Sequence, residues 1–425
     1  MISEVSGGWG FRQILGDDDP NQETNEEDLI SAISFDQHGQ HLAIGDNAGR
    51  VILFHRDEAK EGAPYSFIAE LYAHKKFFDY FKSEESEPRI LDIKWVNTWG
   101  KSLNFLTATE KCINFCKVKE KPRKVFEKVE DNNDDPQEYQ FPKVSKKEKP
   151  SWEHTIHRSY PKLHNYTINS LSVNPNGENF LSSDQCSIFM WHLEKSPKAF
   201  SLFETKVSPE GEAEVITSSC FSPYKEALYL YSTSKGAVMC DTRKNTAGGK
   251  GTVRFEEPPG KKNIFTDFLS VVSKAVFSSE NRIMTRELLQ VRVWDVRMGS
   301  RPLNIIPLNE GLKSKMADMY QNDSIQDLFS MAPSPDGKRF VTGTYHRGFH
   351  IVDADGENNL LFGLDYKKRT LCKRVSKTVV EQISDRYDFA TKTLRVAYHP
   401  HEDLVAIPLD SNIFIYSKVR NNPPS

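Results

Sequence analysis

The chain has 425 residues, a formal net charge of −3 and 38% hydrophobic residues. A charge so close to balance argues against nucleic acid or an anionic membrane as a general partner, and no apolar run approaches the roughly 20 residues of a membrane span. A chain of this length buries enough surface to fold without disulfides, so we expect the 6 scattered cysteines to be free thiols in a reducing compartment.

The first predicted element is a strand, Trp9–Leu15, at the amino terminus. Met1–Gly16 lacks a basic start followed by an apolar run, so we expect no secretory leader. An acidic stretch follows, between Asp17 and Asp28. A strand placed ahead of a set of repeats can complete the last repeat of a closed ring. We therefore expect Trp9–Leu15 to close such a ring.

Seven segments then repeat one frame, in which three short apolar strands are separated by polar turns. The segments are Ala32–His55, Leu91–Val118, Ser170–Glu194, Ser218–Arg243, Val276–Leu303, Phe329–Asp353 and Arg395–Val419. The third strand of the fifth segment ends in Trp294-Asp295, the dipeptide that marks the WD repeat. A three-strand unit cannot bury its own face, so neighbouring units must stack. The repeat predicts an all-β fold, a seven-bladed WD-repeat β-propeller forming one domain over residues 1–425, with an open sandwich as the alternative.

The composition changes between the second and third repeats, where residues 119–160 form a charged insertion. Its last part, Gln140–Tyr160, is typical of a hairpin with a turn at Lys146–Pro150. Alternation predicts that three apolar side chains of this hairpin share one face: Trp152, Ile156 and Tyr160. Long connections with structure of their own are usually functional, and an exposed apolar face favours docking. We predict a hairpin that protrudes from the second blade and binds a partner.

Patterns that would indicate catalysis are incomplete. Gly248–Thr252 resembles a phosphate-binding loop, but it lacks the required earlier glycine and has Gly251 where serine or threonine must hold magnesium. His346 and His350 lie four residues apart on a predicted strand, not on the helix of a zinc protease. No Gly-x-Ser-x-Gly motif of a serine hydrolase is present. We predict no enzyme activity, no catalytic residue, no metal site and no cofactor.

A set of short stretches carries a more specific signal. The stretches are Gly45–Val51, Phe78–Ser83, Ile168–Ser170, Trp191–Glu194, Glu214–Thr217, Ser234–Gly236, Phe255–Pro258, Val293–Asp295, Ser300–Pro302, Thr342–Tyr345 and His399-Pro400. Together they resemble the WD-repeat B-type regulatory subunits of protein phosphatase 2A, over nearly the whole chain. Generic WD repeats share neither Phe255–Pro258 nor Phe78–Ser83.

The resemblance implies a non-catalytic regulatory subunit that targets the heterotrimeric phosphatase to its substrates. The hairpin would dock on a scaffold subunit of helical repeats, and an acidic top face would recruit phosphoprotein substrates beside the catalytic subunit. The expected location is the cytoplasm, and also the nucleus, with neither nucleic acid nor membrane as a partner. A generic WD-repeat scaffold or adaptor of another multiprotein complex is the alternative, because propellers serve many functions.

The same resemblance implies two sets of site residues. The expected scaffold-binding residues are Phe141, Val144, Trp152, Ile156 and Tyr160. The expected substrate-binding residues are Glu26, Glu87, Thr167, Asp184, Gln185, Ala213 and Tyr345. Four positions depart from the family pattern: Asn47, Thr167, Gln185 and Ala213. The resemblance therefore implies a retained frame with an altered substrate surface.

Overall fold

The computed structural model describes residues 4–5, 8–16, 25–57, 64–79, 83–86, 88–97, 102–126, 144–195, 198–205, 214–244, 253–256, 269–345, 347–364, 371–374 and 389–418. Only the backbone is described for residues 4–5, 77, 79, 84–86, 122–126, 144–150 and 371–374. Strands dominate this part of the chain, and we number them β1 to β32 in chain order.

Seven antiparallel sheets form the blades of a propeller, and the strands of each blade are joined in sequential order. Blade 1 comprises β3 (Ile30–Phe35), β4 (His41–Asp46), β5 (Arg50–Arg56) and β6 (Tyr65–Tyr72). Blade 2 comprises β9 (Asp92–Trp95), β10 (Ser102–Ala108), β11 (Ile113–Phe126) and β12 (Val144–Tyr160). Blade 3 comprises β13 (Ser170–Val173), β14 (Asn179–Ser183), β15 (Ser187–His192) and β16 (Ala199–Glu204).

The remaining blades follow the same order. Blade 4 comprises β17 (Ile216–Phe221), β18 (Leu228–Thr233), β19 (Ala237–Asp241) and β20 (Val253–Phe255). Blade 5 comprises β21 (Lys274–Ser279), β22 (Arg282–Arg286), β23 (Gln290–Asp295) and β24 (Asn304–Pro307). Blade 6 comprises β25 (Met331–Pro333), β26 (Arg339–Thr344), β27 (Gly348–Asp353), β28 (Asn359–Gly363) and β29 (Leu371–Arg374). Blade 7 comprises β30 (Ala397–Tyr398), β31 (Leu404–Leu409) and β32 (Asn412–Lys418), completed by β2 (Trp9–Leu15) and β1 (Glu4–Val5).

Smaller elements lie in the connections between blades. They are the two-stranded sheet of β7 (Phe77–Asp79) and β8 (Glu84–Ser86), the helix α1 (Met316–Gln321), and the 3-10 helices Glu26–Asp28, Glu310–Lys315 and Ser324–Gln326. Each predicted repeat corresponds to the inner three strands of one blade. The prediction of a seven-bladed propeller is confirmed.

Stacking between blades explains why the middle strands are so apolar. Every residue of β10 is buried, and so is every residue of β31, because each strand has a neighbouring blade on both faces. The hydrophobic clusters accordingly lie between blades: Leu53 of blade 1 packs with Phe105 of blade 2, and Phe180 of blade 3 packs with Phe115 of blade 2. The core is therefore a ring of interfaces.

The amino-terminal strand closes this ring, as expected. β2 pairs antiparallel with β32, from Trp9 opposite Lys418 to Leu15 opposite Ile413. Trp9 is buried, and its ring meets the edge of Tyr398 at a centroid distance of 6.3 Å. The first and last strands of the chain therefore share one blade, which joins the two ends of the ring non-covalently.

Hydrogen bonds cross every junction between the innermost regions of successive blades. One such bond at each of the seven junctions is Ser31 Oγ to Ile90 O, Leu171 N to Asp92 Oδ2, Ser219 N to Ser170 Oγ, Thr217 Oγ1 to Val272 O, Ser273 Oγ to Phe329 O, Val396 N to Ser330 Oγ, and Arg395 Nε to Ser31 O. The innermost strands contact one another in the same circular order. Small hydroxyl side chains allow this close approach around the axis.

The ring has two ends that carry different connections. The upper end carries two kinds of connection: those that join one blade to the next, and those that join the second and third strands within a blade. The lower end carries the other connections. Within blade 2, β10 pairs with β11 only as far as Ser102 opposite Lys119, whereas β11 and β12 remain paired as far as Phe126 opposite Val144. Blade 2 thus extends a two-stranded arm from the lower end, which confirms a hairpin protruding from the second blade.

The internal geometry predicted for this hairpin is wrong in two respects. Val144–Tyr160 is one unbroken strand paired with Ile113–Phe126, so Lys146–Pro150 is not a turn. Proline is tolerated there because both strands of the arm are edge strands, and Pro150 lies opposite Pro122.

A register shift explains the second error, which concerns the shared face of Trp152, Ile156 and Tyr160. Cys116 faces Ile156 while Phe115 faces Arg158, so one extra residue is accommodated between the two pairs. Beyond this bulge the alternation inverts. Trp152 packs towards blade 1, whereas Tyr160 packs towards blade 3.

Candidate functional site

The upper end brings together the predicted substrate-binding residues that the structure describes. Glu26 lies in the 3-10 helix before blade 1, and Thr167 lies in the connection before blade 3. Asp184 and Gln185 lie between β14 and β15, and Tyr345 follows β26. Glu87 and Ala213 lie outside the described residues. The described substrate-binding residues therefore all lie at the upper end of the ring, but their solvent exposure differs widely.

Acidic side chains reach solvent at blade 1. Glu26 and Glu27 are exposed, and neither carboxylate has an ion-pair partner among the described residues. Their backbone carbonyls hold the next turn, because Asn47 Nδ2 donates to Glu26 O at 2.9 Å and Ala48 N donates to Glu27 O at 3.0 Å. Asn47, one of the altered positions, therefore stabilises the acidic 3-10 helix by a side-chain hydrogen bond.

Asp184 is fully buried and has a structural role. Its Oδ1 accepts hydrogen bonds from Cys186 N at 2.7 Å and Ser187 N at 2.6 Å, and its Oδ2 lies 2.9 Å from His164 Nδ1. Burial alone would raise the pKa of this carboxyl, but the hydrogen bonds from His164 and the two amides hold the pKa below its usual value. The carboxylate therefore stabilises the turn that presents Gln185 to solvent.

The hydrogen-bond chain continues inward from His164. His164 Nε2 lies 2.7 Å from Ser182 Oγ, and Trp191 Nε1 donates to the same Ser182 Oγ at 2.7 Å. A serine, a histidine and an aspartate in this order resemble a hydrolase triad. Here all three side chains are buried, so no substrate carbonyl reaches the serine oxygen. The sequence analysis missed His164 and Ser182, although it singled out their partners Asp184 and Trp191.

Tyr345 is also buried, and it joins two upper connections. Its hydroxyl lies 2.9 Å from Ser324 O and 3.0 Å from Asp327 Oδ2. Asp327 in turn forms an ion pair with Lys392 of the connection before blade 7. Phe329 packs against the Tyr345 ring edge-on at a centroid distance of 5.0 Å. Tyr345 thus positions the upper surface without forming part of it.

The described substrate-binding positions exposed at the upper end of blade 3 are neutral, and apolar side chains lie near them. Gln185 and Thr167 are exposed, and Tyr166 is 50% exposed. Leu163, in the same connection as Tyr166, and Val215, just before blade 4, are exposed as well. Gln185 O accepts a hydrogen bond from Ile216 N at 2.9 Å, which links the two blades. Acidic side chains of the upper end are therefore exposed at blade 1 and also in the connection between blades 5 and 6, at Glu310, Asp318 and Asp323, whereas the described substrate-binding positions exposed at blade 3 are neutral.

The lower end is dominated by the arm of blade 2. Residues 120–126 and 144–152 pair with each other beyond the blade edge, and seven residues of extended strand span about 23 Å. Their sequence is basic, with Lys121, Arg123, Lys124, Lys146, Lys147 and Lys149 against Glu120 and Glu148. The arm is therefore a long cationic projection.

The predicted scaffold-binding residues are distributed unevenly along this arm. Phe141 lies outside the described residues, and Val144 is described by its backbone alone, opposite Phe126. Trp152 is half-buried near the base of the arm, and Ile156 is 38% exposed. Tyr160 is buried, and its hydroxyl donates to Leu193 O at 2.8 Å, so its side chain is unavailable to a partner.

The described residues were also compared with the requirements of a metal site and of a membrane-spanning helix. Among the described residues, no group of three or more His, Cys, Asp or Glu side chains could hold a metal ion. His350 is buried, and its Nδ1 donates a hydrogen bond to Asn359 Oδ1 at 2.9 Å. No described helix is long and apolar enough to cross a membrane.

Comparison with known proteins gives consistent relatives. The family described as WD domain, G-beta repeat matches residues 157–192, the segment that carries His164, Ser182, Asp184 and Trp191. The B-type regulatory subunit of protein phosphatase PP2A from Schizosaccharomyces pombe is 32% identical over 453 aligned residues, covering 97% of this chain and 98% of the relative.

Two further relatives come from a plant and an insect. The B beta isoform of the 55 kDa regulatory subunit of serine/threonine protein phosphatase 2A from Arabidopsis thaliana is 30% identical, covering 96% of both chains. The protein phosphatase PP2A 55 kDa regulatory subunit of Drosophila melanogaster is 32% identical, covering 96% of this chain and 86% of the relative. Among solved structures, Chaetomium thermophilum Raptor matches with a TM-score of 0.56 and 12% identity, over 98% of this chain and 29% of that one. At that identity, the structural match shows the fold alone.

Proposed function

This chain belongs to the family of B-type regulatory subunits of protein phosphatase 2A, and from that premise we propose that it joins a phosphatase complex by its lower end and recruits phosphoprotein clients at its upper end. It is a regulatory, non-catalytic subunit. We propose that residues 1–425 act as one propeller domain, in the cytoplasm and the nucleus. Free cysteines such as Cys116 and Cys240 suit such a reducing compartment.

The arm of blade 2 is the observation that carries the scaffold part of the proposal. A blade needs no strand extension to bury its core, yet β11 and β12 continue for about 23 Å past the edge of β10. Six cations along the arm favour an acidic partner surface, and Ile156 adds an exposed apolar side chain at the base. The proposed occupant of this surface is the scaffold subunit of helical repeats.

The upper end supports the client part of the proposal. Glu26 and Glu27 offer two solvent-exposed carboxylates on blade 1. Thr167 and Gln185 offer neutral hydrogen-bonding groups on blade 3, next to the exposed ring of Tyr166. A client with basic residues on one side of its phosphosite and polar or apolar residues on the other would match this gradient. The catalytic subunit, a separate protein, would act on a client held here.

Shortening the arm tests scaffold docking. Residues 122–150 are replaced by Asn-Gly, because Lys121 and Ser151 are a paired position and this dipeptide suits a two-residue hairpin turn. The outer strand of blade 2 is kept, so the melting temperature should remain that of the wild type. Co-purification with the scaffold subunit should fall at least about a hundredfold, since the main contact surface is removed.

Phe200→Ala is the matched control, because Phe200 is an exposed aromatic residue on an outer strand of a different blade. It should bind the scaffold as the wild type does. Full retention of the scaffold by the shortened variant would refute docking through the arm. Recovery of an unrelated complex, with no phosphatase scaffold, would instead favour a generic WD-repeat adaptor.

A further inference from the structure

Charged side chains on the inner strands of two blades, and just before the inner strand of a third, interact electrostatically around the propeller axis. Asp92 begins β9 of blade 2 with Lys94 two residues below it, Lys274 begins β21 of blade 5, and Arg395 lies two residues before β30 of blade 7. The Lys274 ammonium interacts electrostatically with Lys94, Asp92 and Arg395. Blades 2, 5 and 7 are not neighbours, so these groups can face one another only across the axis.

The acid in this group is already occupied. Asp92 Oδ1 lies 3.1 Å from Lys94 Nζ, and Asp92 Oδ2 accepts a hydrogen bond from Leu171 N at 2.8 Å. Arg395 Nε donates to a neutral acceptor, Ser31 O, at 3.1 Å. Among the described residues, no carboxylate lies within 4.0 Å of Lys274 or Arg395. Two cations therefore face the axis without a counter-ion of their own.

Solvent reaches this position. The Lys94 side chain is 34% exposed, and Lys274 and Arg395 are half-buried. The neighbouring inner strand of blade 4 contributes Cys220, which interacts with both lysines. Burial and the nearby Lys94 charge lower the pKa of Lys274. An anion bound here would relieve the repulsion between the cations and replace their lost hydration.

We propose that this cationic group at the propeller axis binds an oxyanion of the phosphate class, held by Lys274 and Arg395 with Lys94 beside them. A phosphoryl group has two negative charges and several oxygens in different directions, so it can accept donors from three blades at once. A carboxylate has one charge and a single plane of oxygens. The source of the group is free phosphate or pyrophosphate, or the phosphorylated side chain of a client. The site depends on neither docking surface proposed above.

The test uses the full chain and inorganic pyrophosphate as the probe, measured by calorimetry and by thermal shift. Pyrophosphate should raise the melting temperature above that in chloride of equal ionic strength. Lys274→Met and Arg395→Gln should each weaken binding by about tenfold or more, because each removes a hydrogen bond to a charged group. Lys162→Gln, an exposed lysine on the same end of the ring, should bind as the wild type does.

A second readout separates a binding role from a structural one. Without pyrophosphate, Lys274→Met should melt at or above the wild-type temperature, because it removes a desolvated cation that repels its neighbours. Lys274→Arg should retain binding. An equal response of the wild type to chloride and pyrophosphate would overturn the proposal, and so would an undiminished response in both Lys274→Met and Arg395→Gln.

The source of the phosphoryl group is decided with a phosphoserine peptide and its unphosphorylated form. If only the phosphorylated peptide competes with pyrophosphate, and the peptide does not bind Lys274→Met, the site is supported and client phosphate is its ligand. Pyrophosphate binding that depends on Lys274, with no competition by either peptide, would support the site with a free anion as its ligand. Binding of neither probe would overturn the proposal.

Discussion

Buried histidines show at the residue scale how this fold responds to acid. His74 is buried in the connection before blade 2, with Nε2 2.9 Å from Thr107 Oγ1 and Nδ1 3.2 Å from Asn114 Nδ2. The asparagine amide can only donate, so Nδ1 accepts and the ring is neutral with its hydrogen on Nε2. Burial lowers the pKa of His74 to about 4, and it does the same for His350.

Acid should therefore destabilise the propeller through His74. In the unfolded chain this histidine is protonated as the pH falls through 6.5, whereas in the folded chain it is protonated only near pH 4. The contribution of neutral His74 to the free energy of unfolding is complete above pH 6.5. It falls by about 3 kcal/mol as the pH decreases from 6.5 to 4. His74→Gln should show a shallower fall in the free energy of unfolding between pH 6.5 and 4.5, measured by urea denaturation at a series of pH values.

His38→Gln is the control for this measurement, because His38 is exposed in a turn of blade 1. It should follow the wild-type dependence on pH. If His74→Gln and the wild type lose stability in parallel throughout the window, burial of a neutral imidazole at this position does not determine the acid response.

At the scale of elements, the closing strand β2 determines whether the ring holds. Trp9 packs with Val405 and Tyr416, at the interface of blades 6 and 7, and Leu15 packs with Ile413, at the interface of blades 7 and 1. One short strand therefore fills two blade interfaces. Its removal would expose both of them together with the edge of β32.

Trp9→Ala should cost about 3–5 kcal/mol of unfolding free energy, because it leaves a large cavity in a packed interface. Deletion of Met1–Gly16 should be more damaging, since the pairing with β32 is lost as well. Both effects are measured as a fall in melting temperature and in the midpoint of chemical denaturation.

The control for the closing strand is Phe67→Ala, an aromatic residue on an outer strand whose side chain is 61% exposed. This change should alter stability by less than about 0.5 kcal/mol. A chain without Met1–Gly16 that melts at the wild-type temperature would show that β2 does not close the ring.

At the scale of the whole molecule, the two proposed docking surfaces carry opposite charge. The upper end has exposed Glu26 and Glu27, and the arm at the lower end is cationic, although the net charge of the chain is only −3. Separated fields of this kind affect the rate of encounter more than the final affinity. The proposed client and scaffold would therefore be steered to opposite ends of the ring.

Reversing the two upper charges tests client steering. Glu26→Lys with Glu27→Lys should slow association of a phosphopeptide with basic flanking residues by roughly tenfold at low salt. The difference should shrink at high salt, because added ions screen exposed charges. Association is measured by stopped-flow fluorescence over a series of salt concentrations.

Glu178→Lys with Glu226→Lys makes the same change in net charge with exposed residues at the lower end. This control should leave the association rate within about twofold of the wild type, since the screening length is far shorter than the propeller. Equal slowing by both double variants would show that net charge, and not the surface at blade 1, governs encounter.

The sequence by itself determined the repeating part of this protein. Strand alternation and turn chemistry are local, so the segments from Ala32–His55 to Arg395–Val419 predicted seven blades, and a strand ahead of them predicted the closure by Trp9–Leu15. Family-specific stretches such as Phe255–Pro258 predicted a B-type regulatory subunit, in agreement with the relatives found.

Only the tertiary structure decided which side chains are available to a partner. Lys146–Pro150 has the composition of a turn, but its pairing with a strand more than twenty residues away keeps it extended, and a single bulge turns Tyr160 into the core. Asp184 is buried because His164 and two amides surround it, and Lys274 and Arg395 come within electrostatic range of each other because the ring closes. The burial of a side chain, and its approach to residues of other blades, depend on contacts between residues distant in sequence. The local periodicity of a sequence does not predict those contacts.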